Sequence, residues 1–154
     1  MMRMSSPAAL TSALTLALTI CLAASGAGAA GEGSGLIKDQ MKSVVDPQSS
    51  LIFAIGGEVD PANGPSQTPT PDARWAQAAD AAAQLKAVAR TLQRRGVAID
   101  RGLWMSDAKL LGATAAAAER AAVAKNGMDF AAAANTLGDV CTNCHARYKP
   151  QTAG

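Results

Sequence analysis

The chain has 154 residues, one domain's worth, and its 14 basic and 12 acidic side chains leave a formal charge of +2. That near-balance gives no electrostatic footprint for nucleic acid. Aromatic residues make up only 3% of the chain, and alanine fills many positions that Leu or Phe take elsewhere, so a core built from this sequence is thin.

The N-terminus reads as an export signal. Arg3 is followed by an apolar stretch from about Ala8 to Ala24 and a run of small residues. Ala27-Gly28-Ala29 supplies an A-x-A cleavage site, so residues 1–29 are expected to be removed. The apolar run is short for a transmembrane anchor and no stop-transfer charges follow it, so the mature protein is expected not to span a membrane. Cys21 falls in this segment. Ile20 before it is too large for lipoprotein-type processing, and cleavage leaves two cysteines. Loss of Arg3 leaves a charge of about +1.

Residues 30–35 read as a flexible Gly/Glu/Ser lead. The domain proper is expected over 36–150, with 151–154 as a tail. Leu36, Ile37, Met41, Val44 and Val45 recur at helical spacing. Asp46-Pro47 predicts a kink or a helix restart there. Leu51, Ile52 and Ile55 continue the apolar face beside Phe53, and Gly56-Gly57 reads as the helix end. From Gly56 to Thr70 a Pro/Gly/Asn/Ser-rich connection follows, long enough to cross over a bundle.

Thr70-Pro71-Asp72 predicts the next helix start, with Thr70 as cap. Its apolar face is Trp75, Ala78, Ala79, Ala82, Leu85, Val88, Ala89 and Leu92. Arg90, Arg94 and Arg95 crowd its end, where cations complement the helix dipole; docking of an acidic partner is the alternative role. Ser106 or Asp107 is expected to cap a third helix running to about Lys125. Asp129 is expected to cap a fourth, with Met128 as a hydrophobic staple. On that last helix Phe130, Ala134, Leu137, Cys141, Cys144, His145 and Tyr148 share one face, and Pro150 ends it. No strand signal and no internal repeat is visible. The expected fold class is all-α, an antiparallel four-helix bundle with one covalently attached haem among its helices.

Cys141-Thr142-Asn143-Cys144-His145 is the C-x-x-C-H pattern of covalent c-type haem attachment. Each thiol adds across a haem vinyl group. Cys141 and Cys144 lie three apart on one helical face, and His145, four after Cys141, reaches the iron from that face as the proximal ligand. A zinc site needs four ligands, and two cysteines with one histidine fall short of it. A thioredoxin-like motif sits beside a strand–helix–strand pattern, which is missing here. A Cys141–Cys144 disulfide leaves the adjacent histidine unexplained. Export fits this reading, because thioether-linked haem is completed outside the cytoplasm. The disc of the haem would supply bulk that the alanine-rich core lacks.

The sequence resembles the class II cytochromes c, the family of cytochrome c-prime and its low-spin relatives. The resemblance covers about Leu36 to Lys149 and rests on helix order and on Cys141 to Lys149, including the aromatic-basic pair Tyr148-Lys149. It implies a periplasmic monohaem electron carrier, not an enzyme, that exchanges electrons with redox partner proteins. In the low-spin branch a methionine of the first helix is the distal iron ligand, and Met41 stands at that position here. The family's usual arginine one turn earlier is replaced by Ile37. In the high-spin branch the distal position is open and binds small gases such as NO or CO; this is the alternative, with Met41 as core packing. The resemblance also makes a homodimer through the first two helices one option beside a monomer.

Overall fold

The structure is a computed structural model that describes residues 28–64 and 70–149. The expected export signal lies outside the described residues except for its last two positions. Helix α1 spans Gly28–Gln40, α2 Asp46–Val59, α3 Asp72–Leu92, α4 Leu103–Val123 and α5 Gly127–Tyr148. A π turn, Met41–Val45, joins α1 to α2 without a break, and a short 3₁₀ turn, Pro61–Asn63, follows α2. No strand occurs among the described residues. None of the described helices is long and apolar enough to cross a membrane.

A new α-helix does start at Asp46, with Pro47 in its first turn, as the restart reading has it, but the chain enters it without leaving helical geometry. In a regular continuous α-helix the Pro47 ring would meet the carbonyl of Ser43 and leave that carbonyl without a donor. The turn just upstream is instead widened, with the Asp46 N–H reaching back to the Met41 carbonyl. The Ser43 and Ser49 hydroxyls donate to the carbonyls of Asp39 (2.6 Å) and Asp46 (3.2 Å) on either side.

Four helices, α2 to α5, pack as an antiparallel ring in which each touches its chain neighbours and α5 closes on α2. The contacts fix the directions. Arg74, early in α3, pairs with Glu58, late in α2 (2.5 Å). The indole N–H of Trp104, early in α4, donates to the Leu92 carbonyl at the end of α3 (2.7 Å). Arg147, late in α5, grips Asp107, early in α4, through one guanidinium nitrogen (2.8 and 2.7 Å).

The core is uneven along its length. At the α2 C-terminal end Trp75 meets Phe130 edge to face (centroids 5.7 Å apart), beside fully buried Ile52 and Ile55. Alanines dominate the middle, and the added Cβ of an alanine at Gly112 would stand 3.3 Å from the Ala89 Cβ, so α3 and α4 run close together. The face predicted for α3 is the face it buries, with only Ala79 partly exposed.

Several boundaries differ from those the sequence suggests. Gly56-Gly57 does not end α2. Gly56 is buried against α5, where a Cβ would fall 2.6 Å from that of Ala134, so it serves helix–helix approach inside a continuing helix. The stretch read as a flexible lead is the start of α1; at Gly33 a Cβ would lie 2.3 Å from the Gly96 carbonyl oxygen, and only glycine permits that approach. Thr70 does not cap α3, whose N-cap position is Pro71. Helix α4 begins at Leu103, before Ser106 and Asp107, because Asp100 accepts the N–H groups of Gly102 (2.7 Å) and Trp104 (3.2 Å). Asn126, not Asp129, caps α5, accepting the Asp129 N–H (3.1 Å), and Met128 is 69% exposed and staples nothing.

Candidate functional site

Helix α5 carries its apolar face straight into the site. Phe130, Ala134 and Leu137 are buried, Val140 nearly so, and Cys141 and Cys144 follow on that face half-buried. Across from them stands Met41, half-buried, the first residue of the π turn. The structure thus brings all four sequence-derived site residues, Met41, Cys141, Cys144 and His145, to the lining of one pocket. Leu92 at the end of α3, Val140 of α5, and Trp104, Ala108 and Leu111 of α4 give walls whose exposed surface is almost wholly apolar, with Asp107, gripped by Arg147, as the one carboxylate on the lining.

Both cysteines are free thiols. Burial pushes the Cys141 thiol up from its ordinary value. Burial raises Cys144 as well, helped by the Asp107 carboxylate and by Cys141 and opposed by Arg147. The pair sits late in α5, away from the positive N-terminal end that would favour a thiolate. Thiols raised by burial and facing an apolar pocket make a poor arrangement for a nucleophilic dithiol.

His145 is exposed at the pocket rim, and among the described residues its imidazole has no hydrogen-bond partner. Its carbonyl accepts the Lys149 N–H (3.1 Å), closing the last turn of α5. Among the described residues, no group of three or more His, Cys, Asp or Glu side chains is placed to hold a bare metal ion. A macrocycle that brings its own equatorial nitrogens asks less of the protein: one or two axial donors and an apolar slot. The donor set fits such a group, with an imidazole and a thioether on the lining of one pocket, two thiols beside the imidazole, and hydrocarbon walls.

Helix α5 is fastened beside this pocket by a second constellation. The Tyr148 hydroxyl donates to Asp100 (2.5 Å) in the α3–α4 connection, and its ring meets Trp104 edge to face (centroids 5.0 Å). That hydrogen bond, with burial behind it, pushes the phenol up to about 12, and it holds the Asp100 carboxyl below the usual range together with the two backbone N–H groups. One carboxylate thus caps α4, anchors the end of α5 and steadies a pocket-lining indole.

Of Trp75 and Trp104, either of which could pack against a haem or a helix edge on sequence alone, only Trp104 lies on the pocket lining; Leu92 and Leu111 on that lining and Asp100 as the hub behind them were not foreseen. The signal was present: Trp104, Ala108 and Leu111 form an i, i+4, i+7 stripe that extends α4 back past Ser106. Asp100-Arg101-Gly102 also reads as an Asx turn at a helix start. Searches of family profiles, of curated proteins and of solved structures return no match to this chain.

Proposed function

We propose that this chain is a periplasmic monohaem c-type cytochrome that carries electrons between redox partner proteins and is not itself an enzyme. One observation carries the reading: Met41, from the π turn between α1 and α2, and the Cys141–His145 motif, from the last helix, meet on the lining of one apolar pocket. Nothing in local sequence spacing requires that meeting, and the resemblance to the low-spin class II cytochromes c implies it. The π turn at Met41 adds support, since such turns recur at functional sites.

A haem bound here supplies a ferric–ferrous couple. The chain's residues have distinct tasks. The thiols of Cys141 and Cys144 would hold the group covalently, as thioethers. His145 would offer an imidazole nitrogen and Met41 a thioether sulfur to its iron, a donor pair that raises the reduction potential. Leu92, Trp104, Ala108, Leu111 and Val140 keep water from the slot. With His145 and Met41 both held to it, the iron would be shielded from exogenous molecules, which suits outer-sphere electron transfer. The periplasmic assignment rests on the N-terminal sequence and on the need to complete thioether linkage outside the cytoplasm.

The visible spectrum of the holoprotein tests this. The expected ferric form is six-coordinate and low-spin, with the weak far-red band of sulfur–iron ligation. Met41→Ala should abolish that band and open the reduced protein to CO. A wild-type protein that is high-spin and binds CO directly would overturn the distal assignment in favour of gas binding at an open position. Survival of the far-red band in Met41→Ala would overturn it as well.

A further inference from the structure

We infer that the α3–α4 connection, residues 93–102 with the first residue of α4, is the docking face for an acidic redox protein. This deepens the electron-transfer reading and rests on it. Arg94, Arg95 and Arg101 are exposed, and among the described residues none of their side chains makes an ion pair or hydrogen bond. The connection's single carboxylate, Asp100, is turned inward and occupied by Tyr148, Gly102 and Trp104. Among the described side chains the outward face is therefore positive. Ile99 (56% exposed) and Leu103 (58%) lie among the arginines, giving the aliphatic centre and charged rim of a protein contact.

Helix stability does not explain this charge. Arg90 lies in the last turn of α3, where a cation is favourable. Arg94 and Arg95 lie beyond that turn. Arg101 stands just before the N-terminus of α4, the end of a helix that disfavours cations. Guanidinium forks match carboxylates two bonds at a time, which suits an acidic protein surface. The position suits the task too. The connection is flanked by two pocket-lining residues, Leu92 before it and Trp104 after it, and Tyr148 ties it to the motif helix. A partner seated here rests against the wall of the pocket.

The test is stopped-flow oxidation of the reduced holoprotein by an acidic blue-copper protein, and separately by the cationic cobalt(III) tris-phenanthroline complex, across a range of ionic strengths. For the wild type, the rate with the acidic protein should fall steeply as salt rises. The triple variant Arg94→Glu, Arg95→Glu, Arg101→Glu should lose about tenfold or more at low salt with the acidic protein and none with the cationic complex. Arg101→Glu alone should slow the acidic reaction, whereas Arg120→Glu, about 25 Å further along α4, should not. Wild-type rates and salt slope in the triple variant would overturn the inference, as would equal slowing by Arg120→Glu. Arginine-dependent binding to phosphatidylserine vesicles, with the protein reaction unaffected, would assign the face to a lipid surface and overturn it too. A holoprotein with no haem couple at all would bring down the electron-transfer reading and this face together; a normal couple with rates indifferent to the arginines removes the face alone.

Discussion

Two neighbouring glycines should respond to the same substitution with opposite signs. Gly56 and Gly57 both lie inside α2, and alanine is favoured over glycine in a helix interior by up to about 1 kcal/mol. At Gly57, which is exposed, an added Cβ meets nothing within 4 Å. Gly57→Ala should therefore stabilise by about 0.5–1 kcal/mol, the lower figure allowing for its place near the helix end. At Gly56 the added Cβ would stand 2.6 Å from the Ala134 Cβ. Restoring an ordinary contact demands that α2 and α5 move apart by most of an ångström, and overpacking of that kind costs about 1–3 kcal/mol. Gly56→Ala should thus be destabilised by about 0–2 kcal/mol after the propensity gain is subtracted. The difference between the variants isolates the clash, about 1–3 kcal/mol. Urea denaturation of the holoprotein reads it as opposite shifts in midpoint at constant slope. The partner change Ala134→Gly should recover part of the loss, with a coupling above about 0.5 kcal/mol. Equal stabilisation by Gly56→Ala and Gly57→Ala would show that the two helices do not approach as described, and with that the seating of α2 against the motif helix.

Tyr148→Phe should change the alkaline limb of stability. The Tyr148 phenol holds its proton up to about 12 in the folded protein, above the ordinary 10, because it donates to Asp100. That stabilisation is complete below pH 10 and is lost as pH rises through 12, so unfolding free energy should fall more steeply over that window in the wild type than in the variant. Asp100 has the opposite linkage: its lowered carboxyl contributes above the ordinary carboxylate value and loses that contribution on acidification. Identical pH profiles for the two proteins in denaturant titrations would dismiss the clamp. Lys125→Gly should stabilise by about 0.5 kcal/mol. Lys125 closes α4 at φ 53°, where its N–H and that of Asn126 turn back to the carbonyls of Ala122 and Ala121. The gain is reduced by loss of the exposed pair with Asp72. A thermal melt shifted clearly downward would mean that this pair contributes more than a surface ion pair usually does.

What the sequence disclosed divides along physical lines. The C-x-x-C-H pattern of Cys141 to His145 was legible because its three residues lie within one helical turn of each other in sequence. The buried face of α3 was legible because helical periodicity records it residue by residue. The Gly56-Gly57 pair misled because composition marks a helix end, whereas close packing against Ala134 is worth more than the lost propensity. Helix starts misled where the cap lay before the expected position: Asp100 for α4 and Asn126 for α5. Trp104 and Leu92 meet at the pocket because the Leu92 carbonyl accepts the indole N–H and Asp100 accepts the Trp104 backbone N–H across a chain reversal. The meeting of Met41 with the motif depends on how α2 and α5 pack, which no spacing within either helix encodes. A resemblance to known bundles was its one source in the sequence.

The most direct test is an intact mass and a visible spectrum on the protein purified after export. The expected product is a coloured protein whose mass exceeds that of the polypeptide by one haem, with the Cys141 and Cys144 thiols blocked to alkylation. A colourless chain of polypeptide mass, with both thiols open to reagent, would contradict it.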